Sequence, residues 1–239
     1  MLTQKLDLPY YLMLIIDLDF IKKTFSVPDD FIFNSIKSGV NMVQVRDTKT
    51  EYANKLSLIN KIKTKFNNNC TVIVNSDYRL ASESNADGIQ IKSSEWENFN
   101  FSNLRPNLLI GKSTHLYDNH EINNIKKPNY VIFGTIFKSK SHLKTKPIGL
   151  NKFNSIKKKY QCPVIAIGGI NVNNVSEVIK SGADGAAFIT GILNSQNPYS
   201  TIKKIKSIPG RMEFIGNKDR KIFIEENIKT TKEEKTNVE

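Results

Sequence analysis

The chain has 239 residues, of which 39% are hydrophobic and 24% charged, enough to bury a full apolar core in one compact domain. With 12 glycines and 8 prolines it is neither low-complexity nor collagenous. Lys and Arg number 35 against 23 Asp and Glu, a formal charge of +12. The excess alternates with apolar residues at helical spacing (Lys55, Lys61, Lys63 and Lys65; Lys157 to Lys159; Lys203, Lys204 and Lys206), which reads as solvated helix faces and not as a nucleic-acid surface.

The first apolar run, Tyr10 to Ile16, stops at Asp17. It is too short to span a membrane, and it lacks the basic region and cleavage site of a signal peptide. Two cysteines, Cys70 and Cys162, cannot build a disulfide framework, so the expectation is a soluble protein of a reducing, cytoplasmic compartment. Short β-branched runs then recur: Tyr11–Ile16, Met42–Arg46, Thr71–Asn75, Gly88–Lys92, Leu108–Ser113, Tyr130–Ile136, Pro163–Gly168 and Gly185–Thr190. Helix-period segments separate most of them, among them Phe31–Lys37, Glu51–Phe66, Leu150–Tyr160 and Val172–Ser181, the last closed by a basic turn and Gly182. Between the fourth and fifth runs, SSEWENFNF supports one helical turn at most.

Eight strands alternating with helices in about 200 residues predict an α/β fold, a (β/α)8 TIM barrel in a single domain. An open doubly wound sheet needs fewer strands, and no glycine-rich dinucleotide fingerprint follows the first one. The expected division is a barrel over 1–208 and a tail over 209–239, with seven Lys/Arg balanced by seven Asp/Glu, partly disordered.

Barrel enzymes carry their chemistry where strands end. Those positions hold Asp17, Gln44 and Arg46, Asn75, Gln90 and Lys92, Ser113 with Thr114 and His115, Gly134, Gly168 with Gly169, and Thr190 with Gly191. The last four suit a phosphate: glycines expose backbone amides, and helices begin soon after, at Val172 and at Asn197-Pro198. His115, alone of the three histidines, has a strand-end position from which to exchange a proton near neutral pH; His120 falls on the following helix. Cys70 and Cys162 begin opposite strands and read as packing residues. No zinc spacing or nucleophile elbow is present.

Six segments in order, MVQVRDTKT (42–50), VIVNSDYRLA (72–81), ADGIQIKSSE (86–95), IGKSTH (110–115), VIFGTIFKSKSH (131–142) and CPVIAIGGINVNNVSEVIKSGADGAAFITGIL (162–193), resemble the thiamine phosphate synthase/TenI family of barrels. The resemblance covers about residues 10–205 and implies one of two chemistries. The synthase joins hydroxymethylpyrimidine diphosphate to thiazole or carboxythiazole phosphate, expelling pyrophosphate with Mg2+. The TenI-type tautomerase aromatises a carboxythiazole phosphate without pyrophosphate or metal. Either implies thiazole phosphate bound at Gly168, Gly169, Thr190 and Gly191.

Residue by residue, Gln44 and Arg46 keep the synthase pattern for the pyrimidine diphosphate, and Asn75 and Ser113 match it. The family's next lysine is Thr48 here, with Lys49 one place late. The metal aspartate is Ser76, with Asp77 one place late, and Glu95 aligns with the second metal carboxylate. The threonine pair after the sixth strand is Ser139 and Ser141, and the lysine beyond it is His142. Lys92, Lys138, Lys140 and Lys144 could offset the lost charge.

These departures favour the tautomerase, with His115 moving the proton, no metal and no cofactor. The synthase, with Glu95 and Mg2+, is the alternative. A non-catalytic thiazole-phosphate-binding regulator is a third reading. The partner expected is thiazole or carboxythiazole phosphate, with the pyrimidine diphosphate added in the synthase reading. Neither nucleic acid nor membrane is expected, and a homo-oligomer is left open.

Overall fold

In the computed structural model the residues described are 10–46, 49–116, 118, 127–138 and 146–208. Their strands are β1 (Tyr11–Ile16), β2 (Met42–Val45), β3 (Thr71–Asn75), β4 (Gly88–Ile91), β5 (Leu109–Thr114), β6 (Tyr130–Gly134), β7 (Val164–Ile167) and β8 (Gly185–Phe188). All neighbours pair in parallel, and β8 closes on β1. The expected TIM barrel is therefore correct. The helices are α1 (Leu18–Thr24), α2 (Pro28–Ser38), α3 (Tyr52–Phe66), α4 (Tyr78–Glu83), α5 (Leu150–Lys157), α6 (Val175–Lys180), α7 (Thr190–Leu193) and α8 (Pro198–Lys206). Among the described residues no helix is long and apolar enough to cross a membrane.

Alternation along each strand sorts the apolar residues into two cores. Tyr11, Met13, Ile15, Met42, Ile73, Leu109, Tyr130, Ile132, Ile165 and Ala187 fill the barrel interior. Their strand neighbours, such as Leu12, Leu14, Val43, Val72, Ile89, Val131 and Ala166, face the helices in a larger outer core with Phe31, Ile59, Phe153 and Ile202. Both faces of the sheet are thus dry, which explains why the strands read as continuous apolar runs.

The barrel floor repeats one device four times. An Asx residue stands immediately before each even-numbered strand and clasps the preceding strand in both directions. Asn41, Asp87, Asn129 and Asp184 donate their amides to the carbonyls of Leu12, Val72, Ile110 and Val164 at 2.8–3.2 Å. Their side-chain oxygens accept the amides of those same four residues at 2.7–2.9 Å. The two acidic clasps also hold a lysine from the outer layer: Lys63 meets both oxygens of Asp87 at 2.8 and 2.9 Å, and Lys157 lies 3.2 Å from Asp184.

Several boundaries differ from the sequence expectation. Strand β5 is shifted one residue later, β6 stops at Gly134, and α6 starts at Val175. Residues 171–174 form an Asx turn instead, in which Asn174 accepts the Asn171 amide and donates to the Gly169 carbonyl. The SSEWENFNF segment gives two short 3-10 turns, Ser93–Glu95 and Phe101–Asn103. The helix α1 went unread because seven residues are too few for a period to show; Asp17 caps it by accepting the Phe20 amide at 3.1 Å. Both cysteines are free thiols. Burial pushes Cys70 up to about 12 and Cys162 up to about 11, which fits packing roles. The expected tail, residues 209–239, lies outside the described residues.

Candidate active site

Strand polarity places the C-terminal ends around one mouth, and a cavity of about 400 Å3 opens there. Its walls bring together Gln44, Arg46, Asn75, Ser113, Thr114, His115, Gly168, Gly169, Thr190 and Gly191 from five strand ends, with Lys92, Ser93 and Ser94 from a sixth. Ile132, Ile167, Ala187 and Ile189 give it an apolar floor. The sequence expectation for Ser139, Ser141, His142, Lys140 and Lys144 falls on residues outside those described, as do Thr48 and His120.

One end of the cavity is made of backbone. Gly168 and Gly169 adopt φ of +102° and +65°, the left-handed region that glycine tolerates. A Cβ on Gly168 would lie 2.4 Å from the Thr135 side chain, and one on Gly169 would lie 2.6 Å from the Lys138 carbonyl. These glycines are therefore demanded by the loop after β6 packing against the loop after β7. The consequence for a ligand is indirect: the close fit fixes the backbone of a segment that lines the cavity. Among the described residues, the amides of Gly169, Ile170, Thr190 and Gly191 meet no protein acceptor. Four such donors suit a phosphate.

The other end is cationic and polar. Arg46 and Lys92 line it together with Asn75, Ser93 and Ser94. Lys92 pairs with Glu95 at 2.9 Å, and Ser76 donates to the other oxygen of Glu95 at 2.9 Å. Burial works against ionisation of Glu95, but the hydrogen bonds from Lys92 and Ser76 outweigh it and hold the carboxyl below its ordinary range. Ser76 itself has φ +55°, a strained conformation for a residue with a side chain, kept while its hydroxyl is bound to Glu95.

The two displaced residues do not rejoin the site. Asp77 caps α4 by accepting the Leu80 amide at 2.9 Å and lies 3.5 Å from Lys55. Lys49 reaches Asp19 at 3.3 Å. Among the described residues no group of three His, Cys, Asp or Glu side chains could hold a metal ion. Glu95 and the Ser76 hydroxyl supply hard oxygen donors, so this set fits a Mg2+ ion carried in by diphosphate oxygens and not one held by side chains alone.

Between the two ends stand Gln44 and Ser113. Gln44 is buried at 3% exposure, and among the described residues its Nε2 has no hydrogen-bond partner. A donor left so at the wall of the cavity is able to bond a ligand there. Ser113 accepts a hydrogen bond from Gln90 at 3.0 Å. His115 sits at the rim with 58% of its side chain exposed, and its Nδ1 lies 3.3 Å from Asp118. Asp118 also accepts the His115 amide at 2.7 Å. Burial alone would raise the Asp118 carboxyl, but hydrogen bonds from Ser93 and from His115 hold it below its ordinary range. The imidazole is thus oriented by a carboxylate at the edge of the cavity.

Gln90 and Tyr130, both buried just beneath the cavity, were not among the expected site residues. In the sequence Gln90 stands only as a strand-end position, and a polar residue at an inward strand position is the available signal.

Comparisons with known proteins give the family of the chain. Residues 23–192 match the family model described as thiamine monophosphate synthase. A thiamine-phosphate synthase of Methanococcus maripaludis is 27% identical over 175 residues, 73% of this chain and 84% of the relative. One from Staphylococcus epidermidis is 30% identical over 177 residues, 71% and 82% of the two chains. A solved thiamine phosphate pyrophosphorylase from Pyrococcus furiosus superposes with a TM-score of 0.68 at 22% identity, covering 84% of this chain and 95% of that one, a likeness of fold. This chain belongs to the thiamine monophosphate synthase/TenI family and is an enzyme of thiamine biosynthesis.

Proposed function

We propose that the chain is a transferase of the thiamine-phosphate-synthase type, coupling hydroxymethylpyrimidine diphosphate to thiazole phosphate with release of pyrophosphate. The observation that carries this reading is the single cavity with two anion-suited ends, backbone amides at one and Arg46 with Lys92 at the other. A carboxythiazole phosphate also carries two anions, but its carboxylate brings one charge to the Arg46 and Lys92 end, where a diphosphate brings several. The names of the curated relatives weigh the same way, so the tautomerase expectation becomes the second reading.

In this reading the amides of Gly169, Ile170, Thr190 and Gly191 hold the thiazole phosphate, while Gln44, Asn75 and Ser113 orient the pyrimidine. A ring nitrogen of the thiazole forms a C–N bond to the pyrimidine methylene carbon as its C–O bond breaks, and pyrophosphate leaves with the electron pair. Arg46 and Lys92 stand where that charge develops and lower its energy in a partly desolvated site. A Mg2+ ion arriving on the diphosphate, with Glu95 and Ser76 near it, would add electrostatic stabilisation of the leaving group.

Ser76 in place of a carboxylate and the oriented imidazole of His115 favour the tautomerase. An assay of the full chain separates the two. Pyrophosphate release that requires both substrates supports the transferase. Conversion of the carboxythiazole phosphate tautomer, with no pyrophosphate formed from the pair, would replace it with the isomerase.

A further inference from the structure

The cationic end of the cavity keeps its one nearby carboxylate off the wall. Lys92 lines the cavity, whereas Glu95 and Ser76 do not. Lys92 Nζ donates to Glu95 Oε1 at 2.9 Å, and Ser76 Oγ donates to Oε2 at 2.9 Å. Both carboxylate oxygens are thus taken by donors of the chain itself, and one of those donors is a cation. Asp77 lies against Lys55, and Asp118 faces His115. Glu95 therefore cancels Lys92, and among the described residues Arg46 remains as the uncompensated permanent cation of the lining. A diphosphate ester carries roughly three negative charges at neutral pH, since its terminal phosphoryl group titrates at about 6. With one divalent cation bound it carries roughly one, which matches that end far better.

We propose that Glu95 is a charge filter: by cancelling Lys92, it makes this end of the cavity prefer a diphosphate in its divalent-ion complex over the bare anion. The proposal rests on the transferase reading, which supplies the diphosphate. Glu95 then sets specificity through its charge and not as a ligand of the ion, because its own oxygens are already bound. An exposed ion pair of this kind adds little to stability. The filter does not need it to, since the sum of charge acts on a ligand within a Debye length whether or not the pair is tight.

Calorimetry with inorganic pyrophosphate on the full chain, once in EDTA and once in excess Mg2+, tests the filter without any turnover. The wild type should bind about 10-fold more tightly in Mg2+. Glu95→Gln keeps the length of the side chain and one oxygen acceptor and removes only the charge. It should strengthen binding in EDTA by about 3–10-fold and change binding in Mg2+ by less than about 2-fold, so that the preference shrinks. High salt should erase most of that gain. A carboxylate that ligates the ion predicts the reverse, weaker binding in Mg2+ and no change in EDTA. That result would overturn the filter, and so would two unchanged affinities.

Lys92→Met should weaken binding in both buffers, and more in EDTA. Combined with Glu95→Gln it returns the charge sum to that of the wild type, so the wild-type preference for Mg2+ should return as well. A double variant that behaves like Lys92→Met alone would show that contact and not charge decides, against the filter. If the affinities follow these expectations while the wild-type chain releases no pyrophosphate from the substrate pair, the transferase fails and the filter stands. If the wild type binds pyrophosphate in neither buffer, the filter falls, and the release assay alone decides the transferase.

Discussion

The two ends of the barrel treat polar groups in opposite ways. At the floor every Asx clasp is closed in both directions: Asn41, Asp87, Asn129 and Asp184 each give an amide and receive one, and the two aspartates add a lysine. At the mouth, donors are held that meet no acceptor among the described residues: Gln44 Nε2, and the amides after β7 and β8. Closed hydrogen bonds stabilise, whereas unpaired buried donors cost free energy unless a ligand completes them. On the proposed function the difference separates residues that hold the fold from residues that wait for substrate, and each half can be attacked on its own.

The largest effect is expected at the floor. Asp184→Ala removes the acceptor of the Val164 amide and leaves Lys157 without its carboxylate, in a region only a quarter exposed or less. It should lower unfolding free energy by about 3 kcal/mol in urea denaturation, with KM unchanged if the variant is assayed while folded. Asp87→Asn keeps an acceptor for Val72 and loses only the pair with Lys63, so about 1 kcal/mol is expected. Equal losses in the two variants would show that the clasp itself contributes little.

At the mouth the signs reverse. Arg46→Ala should reduce kcat/KM by about 10–100-fold through the diphosphate substrate, with an unchanged denaturation midpoint. Gln44→Leu removes a buried donor that has no protein partner, so stability should hold or rise by about 1 kcal/mol while activity falls. A destabilised Gln44→Leu variant would mean that this amide belongs to the fold.

The smallest effect is expected at the rim. If His115 only borders a transferase site, His115→Asn costs less than about 10-fold in kcat. A loss of about 10²–10⁴-fold would mark it as the proton carrier and favour the isomerase. The rim carboxylates Glu95 and Asp118 have folded-state values depressed below the ordinary 4.5 and 3.8. Their contribution to stability is therefore complete above those values and is lost as pH falls through the depressed ones. Between pH 5 and 7 neither should tilt the unfolding free energy, and a fall across that window would place the sensitivity in other groups.

How legible this was from sequence follows the same division. The barrel was readable because inner and outer strand faces are both apolar, giving eight unmistakable runs. Gln44, Arg46, Asn75, Ser113, Gly168, Gly169, Thr190 and Gly191 were readable because strand ends are where such a fold places chemistry, and these residues do share one cavity; Ser139 and Ser141 lie outside the described residues, and Gln90 is not on the lining. The floor clasps were missed: Asn41, Asp87, Asn129 and Asp184 differ in identity and flanking sequence, and the only common signal is an Asx just before every second strand. Asp77 and Lys49 looked like displaced site residues because sequence offsets do not say which way a side chain turns. Capping α4 and reaching Asp19 use them elsewhere. Gln90 and Tyr130 lie apart in sequence, and only the register across Gly111 brings them together.

The central claim is one cavity with two separate anion ends, and calorimetry addresses it directly. Thiazole phosphate titrated into the full chain saturated with pyrophosphate should bind with an affinity close to that in its absence. Arg46→Ala should remove the pyrophosphate response and leave the thiazole phosphate response in place. Mutually exclusive binding of the two anions, or loss of both responses in Arg46→Ala, would contradict the two-ended cavity and the transferase built on it.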